Sequence, residues 1–202
     1  AFDGDADRCF LIDENGDLVN PSALTCLIAA RELKANPGST IIYNLISSKA
    51  VSEVITEKGG NALRSRVGHS YIKTLMAESG AVFGGEHSGH FYFEDFWGAD
   101  SGMLAALYAL AELMATPKSL STLLEPYIRY VSSGEINSKV KDANKSIQLV
   151  KDKYQDNYQI DELDGLTVTA ENWWFNLRAS NTEPLLRLNV EADTQKQMAE
   201  IR

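Results

Sequence analysis

Thr40-Ile-Ile-Tyr-Asn-Leu45 is a short apolar run, closed by Asn36-Pro37-Gly38 on one side and Ser47-Ser48 on the other. Its length, its β-branched residues and its bounding turn formers make it a buried strand. Its surroundings set the layer. Asn20-Pro21 caps and starts a helix with Leu24, Leu27, Ile28 and, at the margin, Arg31 on one face, and Asn36-Pro37-Gly38 stops it. Ser47 or Ser48 caps a second helix, which ends at Gly59-Gly60. Residues 62–67 read as a strand, 70–79 as a helix and 81–83 as a short strand, and a helix from about 100 to 115 closes the unit. Strands alternating with helices predict an α/β domain with a mixed, largely parallel sheet.

Upstream, Cys9–Asp13 and Asp17–Asn20 flank an Asn-Gly turn and read as a β-hairpin. Downstream, Pro117, Ser119 to Thr122 and Pro126 punctuate a junction, after which the pattern changes. Residues 127–140 form a long strand interrupted at Gly134, and 142–154 a helix. Residues 158–160, 166–170, 173–177 and 185–190 are strands, and Thr194 opens a last helix. Strands packed on helices in this order predict a smaller α+β domain. The expected division is 1–8 as the tail of a preceding domain, 9–120 as the α/β domain and 121–202 as the second domain.

Composition bounds the function. At 202 residues, with 44% hydrophobic and 23% charged residues, the chain is that of a globular protein. A net charge of -9 argues against nucleic acid as a partner and requires a locally basic pocket for any anionic ligand. Two cysteines, Cys9 and Cys26, form neither a disulfide framework nor a metal spacing, so a reducing compartment, the cytoplasm, is expected. The longest apolar run, Met103 to Ala115, contains Glu112 and is too short to span a bilayer, and no signal peptide is visible. The acidic loop at the start has only two residues before it, so the chain reads as a piece of a longer protein.

That loop is Phe2-Asp-Gly-Asp-Ala-Asp-Arg8. Asp3, Asp5 and Asp7 alternate with small spacers, so a tight turn can aim three carboxylates at one point, with Gly4 free to take unusual backbone angles. Clustered anions call for a hard divalent cation. Three carboxylates suit Mg2+, which keeps positions open for water or phosphate. Arg8 sets a fixed positive charge beside it. An EF-hand is disfavoured, because Arg8 stands where its glycine belongs and Glu14-Asn-Gly16 reads as a turn. A solvated acidic turn is the bland alternative.

Three further stretches carry chemistry. Gly84-Gly-Glu-His-Ser-Gly-His90 offers the acceptor Glu86 and the donor-acceptor Ser88, suited to adjacent sugar hydroxyls, and His90, which exchanges protons near neutrality. Its glycines would let backbone approach a ligand. Glu86, His87 and His90 could instead bind zinc, but no further ligand lies nearby. Val67-Gly-His-Ser-Tyr71 places His69 at a helix start, where phosphate is favoured, with Arg64, Arg66 and Lys73 adding positive charge. A helix cap or core residue is the competing reading. Arg178-Ala-Ser-Asn-Thr-Glu-Pro184 joins two strands and offers a guanidinium, the hydroxyls of Ser180 and Thr182, and the Asn181 amide. That is equipment for wrapping phosphate, or an ordinary turn. Trp173-Trp174 reads as packing.

Together these stretches resemble the α-D-phosphohexomutase family, the phosphomannomutases and phosphoglucomutases, over essentially the whole chain. Asp3–Arg8 looks like the family's magnesium loop, Gly85–His90 its sugar-selecting loop, Arg178–Pro184 its last phosphate loop, and Val67–Ser70 a further active-site segment. The resemblance implies four domains, of which this chain holds the end of the second, the third, and most of a TATA-box-binding-protein-like fourth. It implies interconversion of hexose 1-phosphate and hexose 6-phosphate through a phosphoserine and a hexose 1,6-bisphosphate, with mannose favoured by the terminal His90 and glucose also open. Asp3, Asp5 and Asp7 would bind Mg2+. Arg8, His69 and His90 would assist charge and proton movement, and Glu86 and Ser88 would hold the sugar. Arg178, Ser180, Asn181 and Thr182 would hold the phosphate that is not reacting.

Two features depart from the family. Its Ser-His-Asn-Pro type segment is absent, as expected if it lies in a missing N-terminal domain. A lysine common near the end of the Thr40–Leu45 strand is replaced by Ile46, with Lys49 nearby. A phosphosugar-binding module without activity, a phosphoglucosamine mutase, and an Asp-x-Asp phosphatase using Asp3 as nucleophile remain as alternatives.

Overall fold

The computed structural model describes residues 1–180 and 185–202. The chain forms two compact units, Ala1–Arg129 and Tyr130–Arg202.

In the first unit, α1 (Pro21–Ala35) begins at Asn20, whose side chain accepts from the Ser22 N–H, with Pro21 in the first turn. It is buried on most of its surface, and Leu24, Leu27 and Ile28 are inside as expected. Arg31 instead points to Glu112 at 2.5 Å. Then come β1 (Thr40–Asn44), α2 (Lys49–Glu57) capped by Ser48, β2 (Asn61–Ser65), α3 (His69–Ser79) and β3 (Phe83–Gly85). β4 (Phe91–Phe93), β5 (Ala99–Asp100), α4 (Gly102–Met114) and α5 (Leu120–Leu124) complete the unit. The sheet order is β2-β1-β3-β4-β5. β1 pairs in parallel with β2 and β3, and the β3–β4 and β4–β5 pairs are antiparallel. The sheet is therefore mixed, with its parallel part where the strand–helix alternation lies. Ile41, Val51, Phe83, Phe91 and Phe93 pack with α1 in one core, and Ile42, Ile72, Met76 and Tyr92 form a second.

Several boundaries differ from the sequence reading. The Cys9–Asn20 stretch folds back through one bridge, Ile12 to Leu18, and is not a two-stranded ladder. Gly84 and Gly85 belong to β3 and not to a loop, because side chains on both faces of the sheet approach them: Ile72 of α3 at Gly84 and Thr25 of α1 at Gly85. A Cβ on Gly85 would lie 2.5 Å from the Thr25 side chain. This glycine thus admits a helix, not a ligand. The acidic loop is part of the first unit: Ala1 and Phe10 exchange backbone hydrogen bonds, and the Cys9 N–H donates to the Gly89 carbonyl. The expected boundary at 120/121 falls inside that unit. α5 and the 3-10 turn after it pack on α1, and Arg129 forks onto Glu57 with two contacts of 2.7 Å. That fork pins the chain to α2 up to its last residue.

The second unit is an antiparallel sheet in the order β6-β10-β9-β8-β7: β6 (Val131–Lys139), β7 (Gln159–Asp161), β8 (Leu166–Thr169), β9 (Trp173–Ala179) and β10 (Leu185–Ala192). α6 (Ala143–Tyr154) and α7 (Gln195–Ile201) cover one face, over Leu166, Val168, Phe175, Leu177, Leu186 and Val190. Period-two alternation sends their neighbours to the other face. Trp173 lies in the core, its ring 6.0 Å from Phe175, and the Trp174 indole N–H donates to Glu191. The interruption at Gly134 is a bulge, with the register shifting between Asn189 and Glu191 and Gly134 at φ 65°. Both cysteines are buried, and neither is in a disulfide. Among the described residues no helix is long and apolar enough to cross a membrane.

Candidate active site

The acidic loop turns on Ala6, which takes a left-handed φ of 61°. Gly4 is not among the positive-φ residues, so the strained position is one residue pair later than expected. The Ala6 N–H donates to the Asp3 carbonyl, and the Arg8 N–H to the Asp3 carboxylate. One oxygen each from Asp3, Asp5 and Asp7 then lies within 4.8 Å of the others. Arg8 does not reach away from the cluster. Its Nε sits 3.2 Å from Asp3 Oδ2 and 3.9 Å from Asp7 Oδ1. Asp7 Oδ1 is buried and has no hydrogen-bond partner. A buried, unpartnered carboxylate oxygen facing two more carboxylates fits a small hard cation.

An antiparallel bridge from Arg8 to His90 sets the second wall. It puts His90 Nε2 3.4 Å from Asp7 Oδ2. The other ring nitrogen, Nδ1, is 3.1 Å from the Ser88 hydroxyl and 3.6 Å from Glu86 Oε2. Asp7, His90 and Asp100 also converge as three potential ligands. Asp100, however, already holds the Lys73 ammonium at 2.8 Å. Burial pushes the Asp100 carboxyl up, but the Lys73 hydrogen bond and charge, helped by its own backbone, outweigh this and hold it below the usual carboxylate range. The three loop aspartates are therefore the better cation site. The zinc alternative loses its histidine pair: His87 Nδ1 turns to the Ser22 hydroxyl at 3.2 Å, away from the partners of His90. Among the described residues, no cluster of potential ligands includes His87.

Glu86 is 1% exposed. Its Oε1 accepts from the Asn44 amide at 3.3 Å and the Gly68 N–H at 3.2 Å, and its Oε2 from the Tyr92 hydroxyl at 2.8 Å. Burial, then the Glu86 charge, drives the Tyr92 hydroxyl well above its ordinary value. Glu86 thus ties together the end of β1, the entrance to α3, and β4. That knot lies at the carboxyl ends of the parallel strands, where open α/β sheets place their ligands. Gly68 brings the adjacent His69, exposed at the first position of α3, to the same edge. The fold thus gathers Asp3, Asp5, Asp7, Arg8, Ser88 and His90, draws in His69 through Gly68, and buries Glu86 beneath them. Lys49 stays on α2, 3.7 Å from Glu53.

Two residues here were not singled out from the sequence. Asn44, fully buried, uses its amide on Glu86 and its Oδ1 on the Ser47 hydroxyl. A lone amide at the carboxyl end of an apolar strand was its signal. Lys73 was counted only as local charge, but reaches the His90 cluster through Asp100.

In the second unit, Arg178 lies on β9, with its side chain 11% exposed and paired to Glu135 at 3.2 Å. Arg187, on the facing strand, points Nη2 to the Ser180 hydroxyl at 3.4 Å and is a second guanidinium beside the loop. It escaped notice because it alternates regularly within an apolar strand. Asn181 and Thr182 lie outside the described residues.

Residues 20–130 match the family model described as phosphoglucomutase/phosphomannomutase, alpha/beta/alpha domain III, and residues 135–202 match its C-terminal domain. A phosphomannomutase of Methanocaldococcus jannaschii is 47% identical over 199 residues, covering 98% of this chain but 44% of that protein. The chain thus spans less than half the length of this relative. Among solved structures, a phosphoglucomutase/phosphomannomutase family protein from Burkholderia thailandensis superposes with a TM-score of 0.89 at 32% identity, over 100% of this chain and 43% of the other. An Aspergillus fumigatus N-acetylphosphoglucosamine mutase in complex with GlcNAc-6P and magnesium shares the fold, with a TM-score of 0.72 at 14% identity over 98% of this chain and 49% of the other.

Proposed function

The chain belongs to the phosphoglucomutase/phosphomannomutase family, and on that premise we propose that it is the C-terminal part of a magnesium-dependent phosphohexomutase that interconverts mannose 1-phosphate and mannose 6-phosphate. The observation that carries this reading is the convergence of three aspartate oxygens beside His90, with Asp7 Oδ1 buried and, among the described residues, without a hydrogen-bond donor. The relative named phosphomannomutase, at 47% identity, supports mannose over glucose or glucosamine. The fungal neighbour solved with magnesium and a sugar phosphate supports the cation and the substrate class.

In the proposed reaction a phosphoserine, in a segment outside this chain, gives its phosphoryl group to a sugar hydroxyl, whose proton passes to a base. The resulting bisphosphate reorients and returns its other phosphoryl group to the serine. Magnesium held by Asp3, Asp5 and Asp7 would neutralise charge on the phosphoryl oxygens. Arg8 balances the aspartates and keeps the loop closed. His90 is placed to take or return the hydroxyl proton: Asp7 steadies its Nε2 side, and Ser88 can relay at Nδ1. His69, at the helix entrance, adds a donor for phosphate or sugar oxygen. Ser88, part-buried, presents its hydroxyl to the sugar, and Glu86 acts from beneath, by fixing the loop that carries it. Arg178 and Ser180, with Asn181 and Thr182, hold the distal phosphate.

The 202-residue chain contains no Ser-His-Asn-Pro segment, so by itself it is proposed to bind sugar phosphate without turnover. Two cysteines without a disulfide fit residence in the cytoplasm. A coupled assay decides: the full-length protein should convert mannose 1-phosphate to mannose 6-phosphate only with magnesium present. Release of inorganic phosphate instead would establish the phosphatase alternative.

A further inference from the structure

The polar face of the second unit's sheet sets one carboxylate between two guanidiniums. The strand registers align Asn137, Arg187 and Arg178 in one row across β6, β10 and β9, and Glu135, Asn189 and Asn176 in the next. Opposed residues share a face, as do residues two apart, so both rows face the same way. Glu135 follows the bulge at Gly134, which bends β6 at that point.

The contacts are specific. Glu135 Oε2 takes Arg178 Nη2 at 3.2 Å. Its Oε1 takes Arg187 Nη1 at 3.4 Å and the Asn137 amide at 3.4 Å. Among the described residues, the buried Nε atoms of Arg178 and Arg187 have no hydrogen-bond partner. Two cations therefore share one anion, and Arg187 also reaches the Ser180 hydroxyl at 3.4 Å.

We propose that Glu135 is the resident counter-ion of the phosphate site. With no ligand bound, it keeps two neighbouring guanidiniums from repelling each other. A phosphate dianion arriving at the same forks must share them with a carboxylate of like charge, so the site's hold on phosphate is kept weak. Glu135 is 30% exposed, and water screens that repulsion only in part. This rests on the reading of Arg178 as a phosphate ligand. It suits a reaction in which an intermediate must let go and rebind reversed, since tight binding of every bound state adds nothing to turnover.

The test is a titration of inorganic phosphate into the 202-residue chain, followed through the Nε–Hε resonances of its arginines. Glu135→Gln keeps the shape and an acceptor oxygen but removes the charge. It should bind phosphate more tightly than wild type, by roughly fivefold or more, with steeper salt dependence. Glu135→Asp keeps the charge and should bind about as wild type does. A merely structural carboxylate predicts equal or weaker binding in Glu135→Gln, and that result overturns the proposal, as does an equal gain in Glu135→Asp. Arg178→Met separates the two claims. If it abolishes binding while Glu135→Gln brings no gain, the phosphate site stands and the counter-ion role falls. If phosphate moves no arginine resonance in wild type or Glu135→Gln, both fall.

Discussion

His90 faces Asp7 across 3.4 Å, so a histidine side chain rests against the acidic loop. The contact depends on the backbone bridge between Arg8 and His90, which joins two stretches far apart in the sequence. The fold therefore holds the histidine and the loop's carboxylates side by side.

Substituting the loop aspartates tests the cation site. In the full-length protein, Asp5→Asn should lower turnover by about tenfold or more and raise the magnesium concentration needed, with circular dichroism unchanged. Asp7→Asn should lower turnover at least as much, because His90 also loses the carboxylate 3.4 Å from its Nε2. Wild-type magnesium response in both would remove the aspartates from the mechanism.

The buried knot at Glu86 should matter first for stability. Glu86→Ala strands the Asn44 amide, the Gly68 N–H and the Tyr92 hydroxyl, costing about 2–4 kcal/mol on urea unfolding. Glu86→Gln keeps one acceptor oxygen and should cost about half as much. A loss below about 0.5 kcal/mol in Glu86→Ala would show that water replaces those partners.

Arg178→Ala should raise KM for hexose phosphates about tenfold, and Arg178→Lys should restore it only in part, because a point charge replaces a planar fork. Removing the guanidinium also leaves Glu135 with Arg187 and the Asn137 amide. Unchanged kinetics in both variants would reduce the segment to a turn.

Gly85→Ala places a methyl 2.5 Å from Thr25 and should destabilise the chain by about 1–3 kcal/mol, with the midpoint of thermal unfolding as the readout. Gly85→Ala with Thr25→Ser removes the Cγ2 half of the clash and should recover part of the loss.

Glu14 offers a pH test. Hydrogen bonds from Ser119, then Ser121, hold its carboxyl down to about 2. A folded-state value below the unfolded one means that the contact stabilises above the unfolded value of about 4.3 and is lost as pH falls toward 2. The difference in melting temperature between wild type and Glu14→Gln should therefore be largest near neutral pH and shrink across that window. A difference that stays constant down to pH 2 would show that the serines do not prefer the charged form.

The sequence by itself determined most of the local elements. Helices at Pro21, Lys49 and Ala143 were legible because Asn20, Ser48 and Asp142 cap them, and a cap acts over three residues. The acidic loop was legible because its carboxylates are spaced within one turn. Tertiary structure alone decided what those groups touch. Gly85 looked like room for a ligand and proved to be room for Thr25. Glu86 looked like a sugar acceptor and proved to be a buried tie between Asn44, Gly68 and Tyr92. Arg187 was one polar residue in a strand until the register set it beside Arg178. Capping and turn preferences are local energies written in adjacent residues. Burial, register and the sharing of a carboxylate depend on which distant strands pair, and no short stretch encodes that.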